Sequence, residues 1–197
     1  MIPNIHHRYI IKPSVIIFSP KHMTVIGNIY RRLHSKLANR PTNFSWIIDS
    51  RLAGSGIPMS KSQLDWLIKN GINVIVTVRE VPLPKKWLEY IKSNSVSYLH
   101  IKVEDYGAPT LHELDATEEY IHRQIADGKS VMVHCAAGKG RTGTILASYL
   151  LKEDPDLTSY QAIKKIRKLR PGSVQSETQE QAIAMYERYL RAKRGTD

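Results

Sequence analysis

Residues 134–142 bring the only cysteine of the chain together with an arginine, two glycines and a threonine. They read His134-Cys135-Ala136-Ala137-Gly138-Lys139-Gly140-Arg141-Thr142. An apolar run precedes them and a helical pattern follows, so they are predicted to join a buried strand to a helix N-terminus. In such a loop, backbone N–H groups and the positive end of the helix dipole point at one spot, which predicts an anion site.

Cys135 opens this predicted anion site. Without that context, a lone cysteine is interpreted as a small buried hydrophobic residue. The N–H groups and Arg141 that bind a phosphate also stabilise a thiolate, and such surroundings lower a cysteine pKa from its usual value of about 8.5. We therefore expect Cys135 to attack phosphorus while the loop and Arg141 stabilise the phosphate oxygens. Thr142 is expected to donate a hydrogen bond to the sulfur, and His134 to orient the loop.

The spacing H-C-x-x-G-x-x-R-[ST] in this segment resembles the signature of the protein tyrosine phosphatase superfamily. The chain is most similar to the compact atypical dual-specificity phosphatases, including small archaeal tyrosine phosphatases, from about Phe44 to Leu190. The segments 51–58 (RLAGSGIP) and 170–175 (RPGSVQ) add to the resemblance. It implies hydrolysis of phosphomonoesters through a cysteinyl-phosphate intermediate, first on phosphotyrosine and also on phosphoserine or phosphothreonine proteins. Residues 136–141 would bind the substrate phosphate.

The resemblance also implies a carboxylic acid that protonates the leaving oxygen, on a loop upstream of the cysteine. Asp105 is our candidate, because it follows a predicted strand and lies in a loop with Gly107 and Pro109. Neighbouring Glu104 is the reserve, and a solvated turn carboxylate is the alternative interpretation. In the second step the same carboxylate would accept a proton from water.

Three further side chains are candidates for supporting roles. Gln175 and Gln179 match a pattern of the small archaeal enzymes and would position the attacking water; otherwise they are ordinary exposed glutamines. Lys139 adds a positive charge to the loop, as in relatives that act on inositol phospholipids, unless it points to solvent. Those relatives also carry a lysine directly after the cysteine, where this chain has Ala136.

Other functions stay open at this point. An inositol phosphate, phosphoinositide or RNA 5′-phosphatase is the alternative within enzymes, and the basic N-terminal segment motivates the RNA version. A non-catalytic phosphate-binding module is disfavoured, because Cys135, Arg141 and Asp105 are all present. A sulfur transferase would leave Gly138, Arg141 and Thr142 unexplained. No metal site and no cofactor are predicted.

Strands and helices alternate from residue 44, which predicts an α/β domain with a central, mostly parallel sheet flanked by helices. The predicted strands and helices are, in order, strand 44–48, helix 60–70, strand 73–78, helix 84–93, strand 96–103, helix 110–126, strand 130–134, and helices 141–153, 158–169 and 175–192. Gly71 is predicted to end its helix, and Thr110 with Glu113 to form a capping box.

Residues 1–43 form a predicted basic extension to a phosphatase-like domain over 44–197. They carry seven basic residues and no acidic one. Ser19-Pro20 is predicted to cap an amphipathic helix over 20–38. Its apolar stripe is expected to pack on the domain, with Arg31, Arg32 and Lys36 outward. The stripe consists of Met23, Ile26, Ile29, Tyr30, Leu33 and Leu37.

Bulk composition narrows the functional classes. The 197 residues carry a formal charge of +11, and 42% are hydrophobic, enough for one core. No apolar run reaches the ~20 residues of a membrane span. The excess charge suits an anionic partner, RNA or phosphoinositide, or a solvated basic arm. A cytoplasmic monomer that acts on phosphorylated protein is expected, although an acid-free N-terminus is also compatible with a transit peptide.

Overall fold

A computed structural model describes residues 20–195 of the chain, and it describes side chains from residue 27 onward. The element order is α1 (Pro20–Leu37), β1 (Ser45–Ile48), β2 (Leu52–Ser55), α2 (Lys61–Lys69), β3 (Ile72–Val78), α3 (Lys85–Ser93), β4 (Ser97–Ile101), α4 (Leu111–Ala126), β5 (Ser130–His134), α5 (Gly140–Glu153), α6 (Ser159–Leu169) and α7 (Glu177–Arg194). The predicted α/β fold is confirmed. None of the described helices is long and apolar enough to cross a membrane.

The sheet has the strand order β1-β2-β5-β3-β4. Strand β1 runs antiparallel to β2, and the other neighbouring strands are parallel. The apolar, β-branched character of β3 and β5 follows from their central position, where both faces of the sheet are covered. Because all the parallel strands end at the same edge, the loops that follow them meet there, and ligands of open α/β sheets bind at that edge.

Helices cover the two faces of the sheet and bury two apolar clusters. Helices α4 to α7 pack on one face, where Leu114, Ile145 and Tyr186 are buried. Helices α2 and α3 pack on the other face, where Leu64, Leu67 and Ile91 are buried. The predicted capping box of Thr110 and Glu113 is present at the start of α4. Gly71 follows α2 with a φ of 83°, the left-handed conformation expected of a glycine after a helix.

Strand β2, Leu52–Ser55, was not predicted from the sequence. The four residues read LAGS, which is short, contains a glycine and lacks β-branched residues. The strand forms nevertheless, because it pairs with β1 on one side and with β5 on the other. It places Ser55 directly beside His134, at the start of the cysteine loop.

The predicted orientation of α1 is wrong for the side chains that the structure describes. Ile29, Tyr30, Leu33 and Leu37 are exposed, whereas Arg31 is only 8% exposed. The helix therefore turns a basic side chain, not its apolar stripe, toward the domain. Arg32 and Lys36 are exposed, as expected. Ser19 and the side chains of Met23 and Ile26 lie outside the described residues, and the domain boundary at 43/44 remains a prediction.

Candidate active site

A cavity of about 420 Å³ lies at the edge where the parallel strands end. Cys135 follows β5, Glu80 follows β3, and Asp105 follows β4, so the topology brings together residues from distant parts of the sequence. The residues around the cavity come from α1, from the segment before β1, from the loops after β4, β5 and α6, and from the N-terminal turns of α5 and α7. They are Gly27, Tyr30, Arg31, Thr42, Asn43, Asp105, Tyr106, Cys135, Ala136, Ala137, Lys139, Gly140, Arg141, Gln175 and Gln179.

Cys135 lies at the inner end of this cavity and is 3% exposed. Burial alone would raise the pKa of its thiol. The pKa is nevertheless below its usual value, because the Thr142 hydroxyl, the charge of Arg141 and the backbone N–H groups of Thr142 and Lys139 all favour the thiolate. The environment thus favours the thiolate, which is the nucleophilic form.

The loop after Cys135 needs a glycine at residue 138. Gly138 has a φ of 73°, and a Cβ there would lie 2.3 Å from the carbonyl carbon of Ser55. A side chain at this position would therefore clash with the β2 backbone and adopt an unfavourable conformation. The close approach lets the loop turn directly into α5, whose N-terminal N–H groups face the anion site.

Arg141 is 2% exposed and has two acidic partners. Its Nη2 donates to Asp105 Oδ1 at 2.8 Å, and its Nη1 lies 2.9 Å from Glu80 Oε1. Nη1 also donates to the backbone oxygen of Val103 at 2.9 Å. These contacts hold the planar guanidinium in one orientation, as a fork that suits two phosphate oxygens. Sequence reasoning missed Glu80; its position directly after a central parallel strand was the available signal.

His134 is completely buried and lies between the sheet and the loop. Its Nε2 is 2.7 Å from Thr77 Oγ1, and its Nδ1 is 3.1 Å from the backbone oxygen of Cys135. Burial lowers the pKa of His134 to about 4. A neutral imidazole with both nitrogens engaged suits the orienting role expected from the sequence, and not a proton-transfer role at neutral pH.

Asp105 is half exposed, and its carboxylate lies between Arg141 and the cavity. The loop that carries it is held from α7: Ser176 Oγ donates to the backbone oxygen of Tyr106 at 2.6 Å. Glu104 is exposed and does not line the cavity. Of the two candidate acids, Asp105 is therefore the one placed to reach a bound substrate.

The two glutamines differ in their contacts. Gln175 lines the cavity, and its Oε1 accepts a hydrogen bond from Gly140 N at 3.2 Å. Gln179 is 1% exposed, and its amide joins two segments: Oε1 accepts from Gln175 N at 2.7 Å, and Nε2 donates to Gly107 O at 3.0 Å. Gln179 is thus placed to position Gln175 and the Asp105 loop, and both glutamines line the cavity.

Residues before β1 support the cysteine loop from its outer side. Asn43 Nδ2 donates to Ala137 O at 2.8 Å. The backbone oxygen of Thr42 accepts from Gly56 N at 2.7 Å, and Ile57 N donates to Ala136 O at 3.1 Å. The carbonyl groups of Ala136 and Ala137 are therefore held by Ile57 N and by the Asn43 side chain.

Lys139 lines the cavity, but its side chain extends along the loop after α6. Its Nζ lies 3.6 Å from the position that a Cβ on Gly172 would occupy. The lysine thus adds positive charge at the rim of the cavity and does not lie alongside the Cys135 sulfur. Arg31 of α1 lines the same cavity, a placement that the sequence did not indicate.

Arg170, the first residue of the segment 170–175 (RPGSVQ), connects the cysteine loop to the sheet through hydrogen bonds. It is 6% exposed, and its guanidinium donates to Gly138 O at 2.6 Å, to Gly54 O at 2.9 Å and to the Ser45 hydroxyl. Burial lowers the pKa of Arg170 to about 10, while the charge of Cys135 opposes this shift. Arg170 therefore positions the loop without lining the cavity.

We expect Arg170→Met to lower the free energy of unfolding by about 3 kcal/mol, because two buried carbonyl oxygens lose their donor. kcat for an aryl phosphate should fall as well, since Gly138 is no longer held. Urea unfolding and steady-state kinetics measure the two effects. Lys168→Met, at an exposed position two residues earlier in the last turn of α6, is the matched control. A loss below about 1 kcal/mol would contradict the role assigned to Arg170.

Comparisons with known proteins identify the family of the chain. A family model described as "PTP-SAK: Swiss Army Knife protein, DSP-PTPase phosphatase domain" matches residues 41–183. Phosphatidylglycerophosphate phosphatase PTPMT1 of Arabidopsis thaliana is 28% identical over 159 residues, which cover 80% of this chain and 46% of that protein. The chain thus spans less than half the length of that relative.

Solved structures share the fold. Tk-PTP in its active form superposes with a TM-score of 0.68 and 27% identity, over 74% of this chain and 97% of that one. PTPMT1 in complex with PI(5)P superposes with a TM-score of 0.69 and 21% identity, over 77% and 99% of the two chains. Together with the match of the family model over most of the chain, these results show that the chain belongs to the DSP-PTPase family of phosphatase domains.

Proposed function

We propose that the chain hydrolyses phosphomonoesters through a cysteinyl-phosphate intermediate. The observation that carries the proposal is the grouping of Cys135, Arg141 and Asp105 in one cavity at the N-terminus of α5. A thiolate with a lowered pKa, a fixed guanidinium and a carboxyl group are the three components that this reaction requires.

In the first step, the Cys135 thiolate forms a bond to phosphorus as the ester oxygen leaves. Asp105, protonated at the start, gives its proton to that oxygen, so the alcohol departs neutral. The N–H groups of residues 136–141 and the Arg141 guanidinium bind the three remaining phosphate oxygens.

In the second step, water attacks the phosphocysteine, and Asp105 takes one of its protons. The phosphorus–sulfur bond breaks, and the electron pair returns to Cys135 as a thiolate. The buried Thr142 hydroxyl has no oxygen or nitrogen partner among the described residues, so it is free to donate to that sulfur. We propose that Gln175 orients the water and that Gln179 holds Gln175 in place.

Phosphotyrosine proteins are the first substrate class that we propose, with phosphoserine and phosphothreonine proteins next. Phenol is a better leaving group than an alkyl alcohol, so an aryl phosphate reacts most readily. Tyr30 and Tyr106 flank the cavity, where they can contact an aromatic ring. The similarity to Tk-PTP supports this class.

Phosphates on inositol or on a lipid headgroup are the second class. Lys139 and Arg31 add positive charge around the cavity beyond what one phosphate needs, and the Arabidopsis relative is named as a phosphatidylglycerophosphate phosphatase. RNA that carries a 5′-phosphate is a further candidate substrate, because the basic N-terminal segment could bind its backbone.

We propose that the protein is a monomer and that it acts in the cytoplasm.

A substrate panel tests the proposal. Phosphate release is measured from phosphotyrosine and phosphoserine peptides, phosphatidylglycerophosphate, inositol phosphates and triphosphorylated RNA, with and without vanadate. Vanadate-sensitive release from any phosphomonoester supports the reaction, and the ranking of kcat/KM identifies the class. Absence of release from every substrate between about pH 5 and 8 would overturn the proposed function.

A further inference from the structure

Helix α1 places a second arginine in the active-site cavity. Arg31 is 8% exposed and lines the cavity together with Cys135 and Arg141. Gly27 lies one turn earlier on the helix, and a Cβ there would come within 3.2 Å of Arg31 Nη1. The absence of a side chain at residue 27 thus leaves room for the guanidinium on the cavity side of the helix.

Arg31 has no acidic partner among the described residues. Its Nη2 donates to Asn28 Oδ1 at 2.6 Å, and no described carboxylate lies within 4.0 Å of it. Asp105, the acidic residue of the cavity, is paired with Arg141. Burial and the charge of Arg79 lower the pKa of Arg31, and the charges of Cys135 and Asp105, which line the same cavity, raise it. Arginine nevertheless stays charged at neutral pH.

A buried charge without a counter-charge is unfavourable unless a bound ligand supplies one. The substrate phosphate already has the backbone N–H groups of the cysteine loop and the Arg141 fork as partners. Arg31 comes from α1, an element separate from the cysteine loop and from α5. Its donors are therefore available to a different anionic group of the same substrate.

We propose that Arg31 forms a second anion site inside the cavity, used by compact phosphomonoesters that carry another anionic group. The ligand chemistry is a polyol with two phosphate groups, either free or as the headgroup of a lipid whose phosphodiester is the second anion. Since Arg31 is almost fully covered, only a group that enters the cavity with the phosphomonoester can reach it. An acidic residue beside a phosphotyrosine in a protein would lie along the outer surface. The inference rests on the proposed hydrolysis of phosphomonoesters.

The test compares substrates that are matched at the hydrolysed phosphate. They are an inositol monophosphate, the inositol bisphosphate with one added phosphate, and the corresponding phosphatidylinositol monophosphate in phosphatidylcholine vesicles. An aryl phosphate and a phosphotyrosine peptide with or without a neighbouring glutamate complete the set. The variants are Arg31→Gln, Arg31→Lys and, as control, Arg32→Gln, which makes the same change at an exposed position of the same helix.

Wild-type protein is expected to prefer the substrates with two anionic groups. Arg31→Gln should lower kcat/KM for them about ten- to hundredfold, mainly through KM, because a charge-assisted hydrogen bond is lost. The kcat/KM of Arg31→Gln for the monophosphate and the aryl phosphate should stay within about threefold of the wild-type value. Activity on these two substrates also shows that the variant is folded. Arg31→Lys should retain part of the preference for two anionic groups, and Arg32→Gln should retain all of it.

The preferred substrate identifies the source of the second anion. A preference for the soluble bisphosphate identifies a free polyol, and a preference found only with vesicles identifies a lipid headgroup.

Three outcomes would overturn the inference: an equal loss on all substrates, no preference in the wild-type protein, or an Arg31-dependent preference found only with the glutamate-containing peptide. In each of these the aryl phosphate is still hydrolysed, so the proposed reaction stands. Loss of the proposed function itself would show as a wild-type protein that releases phosphate from nothing in the set.

Discussion

Cys135→Ser is expected to lower kcat for an aryl phosphate by a factor on the order of 10⁴ or more, the size of effect seen when a covalent nucleophile is removed. Thr142, the backbone N–H of Lys139 and the charge of Arg141 lower the pKa of the Cys135 thiol and so favour the anion. A serine hydroxyl starts from a much higher pKa, so the same contacts leave it protonated. Steady-state phosphate release measures the loss.

Two further measurements connect this loss to the covalent step. Acid-quenched wild-type protein should carry a phosphate on Cys135 that mass spectrometry detects, and the variant should carry none. Since the pKa of Cys135 is lowered, alkylation by iodoacetamide should stay fast below the pH at which a free thiol protonates, and slow only as pH falls through the lowered pKa. A variant that is folded and keeps more than about 1% of kcat would rule out Cys135 as the nucleophile.

Asp105→Asn is expected to reduce kcat by about 10²- to 10⁴-fold for alkyl phosphates, whose leaving oxygen needs a proton. The reduction should be much smaller for p-nitrophenyl phosphate, because that leaving group departs as an anion. An asparagine keeps the size of the side chain and can still contact Arg141, so binding should change little. Kinetics with a series of leaving groups of different basicity measure the effect.

Glu104→Gln is the matched control for the acid, because it removes a neighbouring carboxylate that is exposed and lies outside the cavity. In this control, the dependence of kcat on the basicity of the leaving group should be the same as in the wild-type protein. If Glu104→Gln proves more damaging than Asp105→Asn, the acid role moves to Glu104. A fall in rate on the basic side of the pH profile should be present in the control and absent in Asp105→Asn.

The contiguous part of the site could be predicted because its residues are neighbours in the sequence. The strand, the glycine-containing turn and the helix N-terminus around Cys135 each have a local signal, and their combination is specific. Asp105 could be proposed because it follows a strand whose position the sequence indicates. Glu80 also follows a predicted strand, but nothing in the sequence pairs it with Arg141. Arg170 could not be found this way, because it reaches Gly138 from a segment that only the folded sheet brings close.

Helix α1 shows the limit of periodicity as a guide to packing. The spacing of Ile29, Leu33 and Leu37 correctly predicted a helix, and we assumed that its apolar face would be the buried one. The described side chains have Arg31 covered instead, and these apolar residues exposed. A polar cavity reverses the usual rule, because an element that borders a charged site turns its basic side chain toward it.

The contacts of Asn43 with the cysteine loop and of Thr42 with the segment after β2 have a practical consequence for shortened forms of the protein. A protein that begins at residue 44 would lose α1 and, at the same time, the donor to Ala137 O and the acceptor of Gly56 N. Its activity would then report on two changes that cannot be separated. A protein that begins at residue 39 removes Arg31 and keeps both supports, so a comparison of the two lengths distinguishes substrate selection by the helix from mechanical support of the reactive loop.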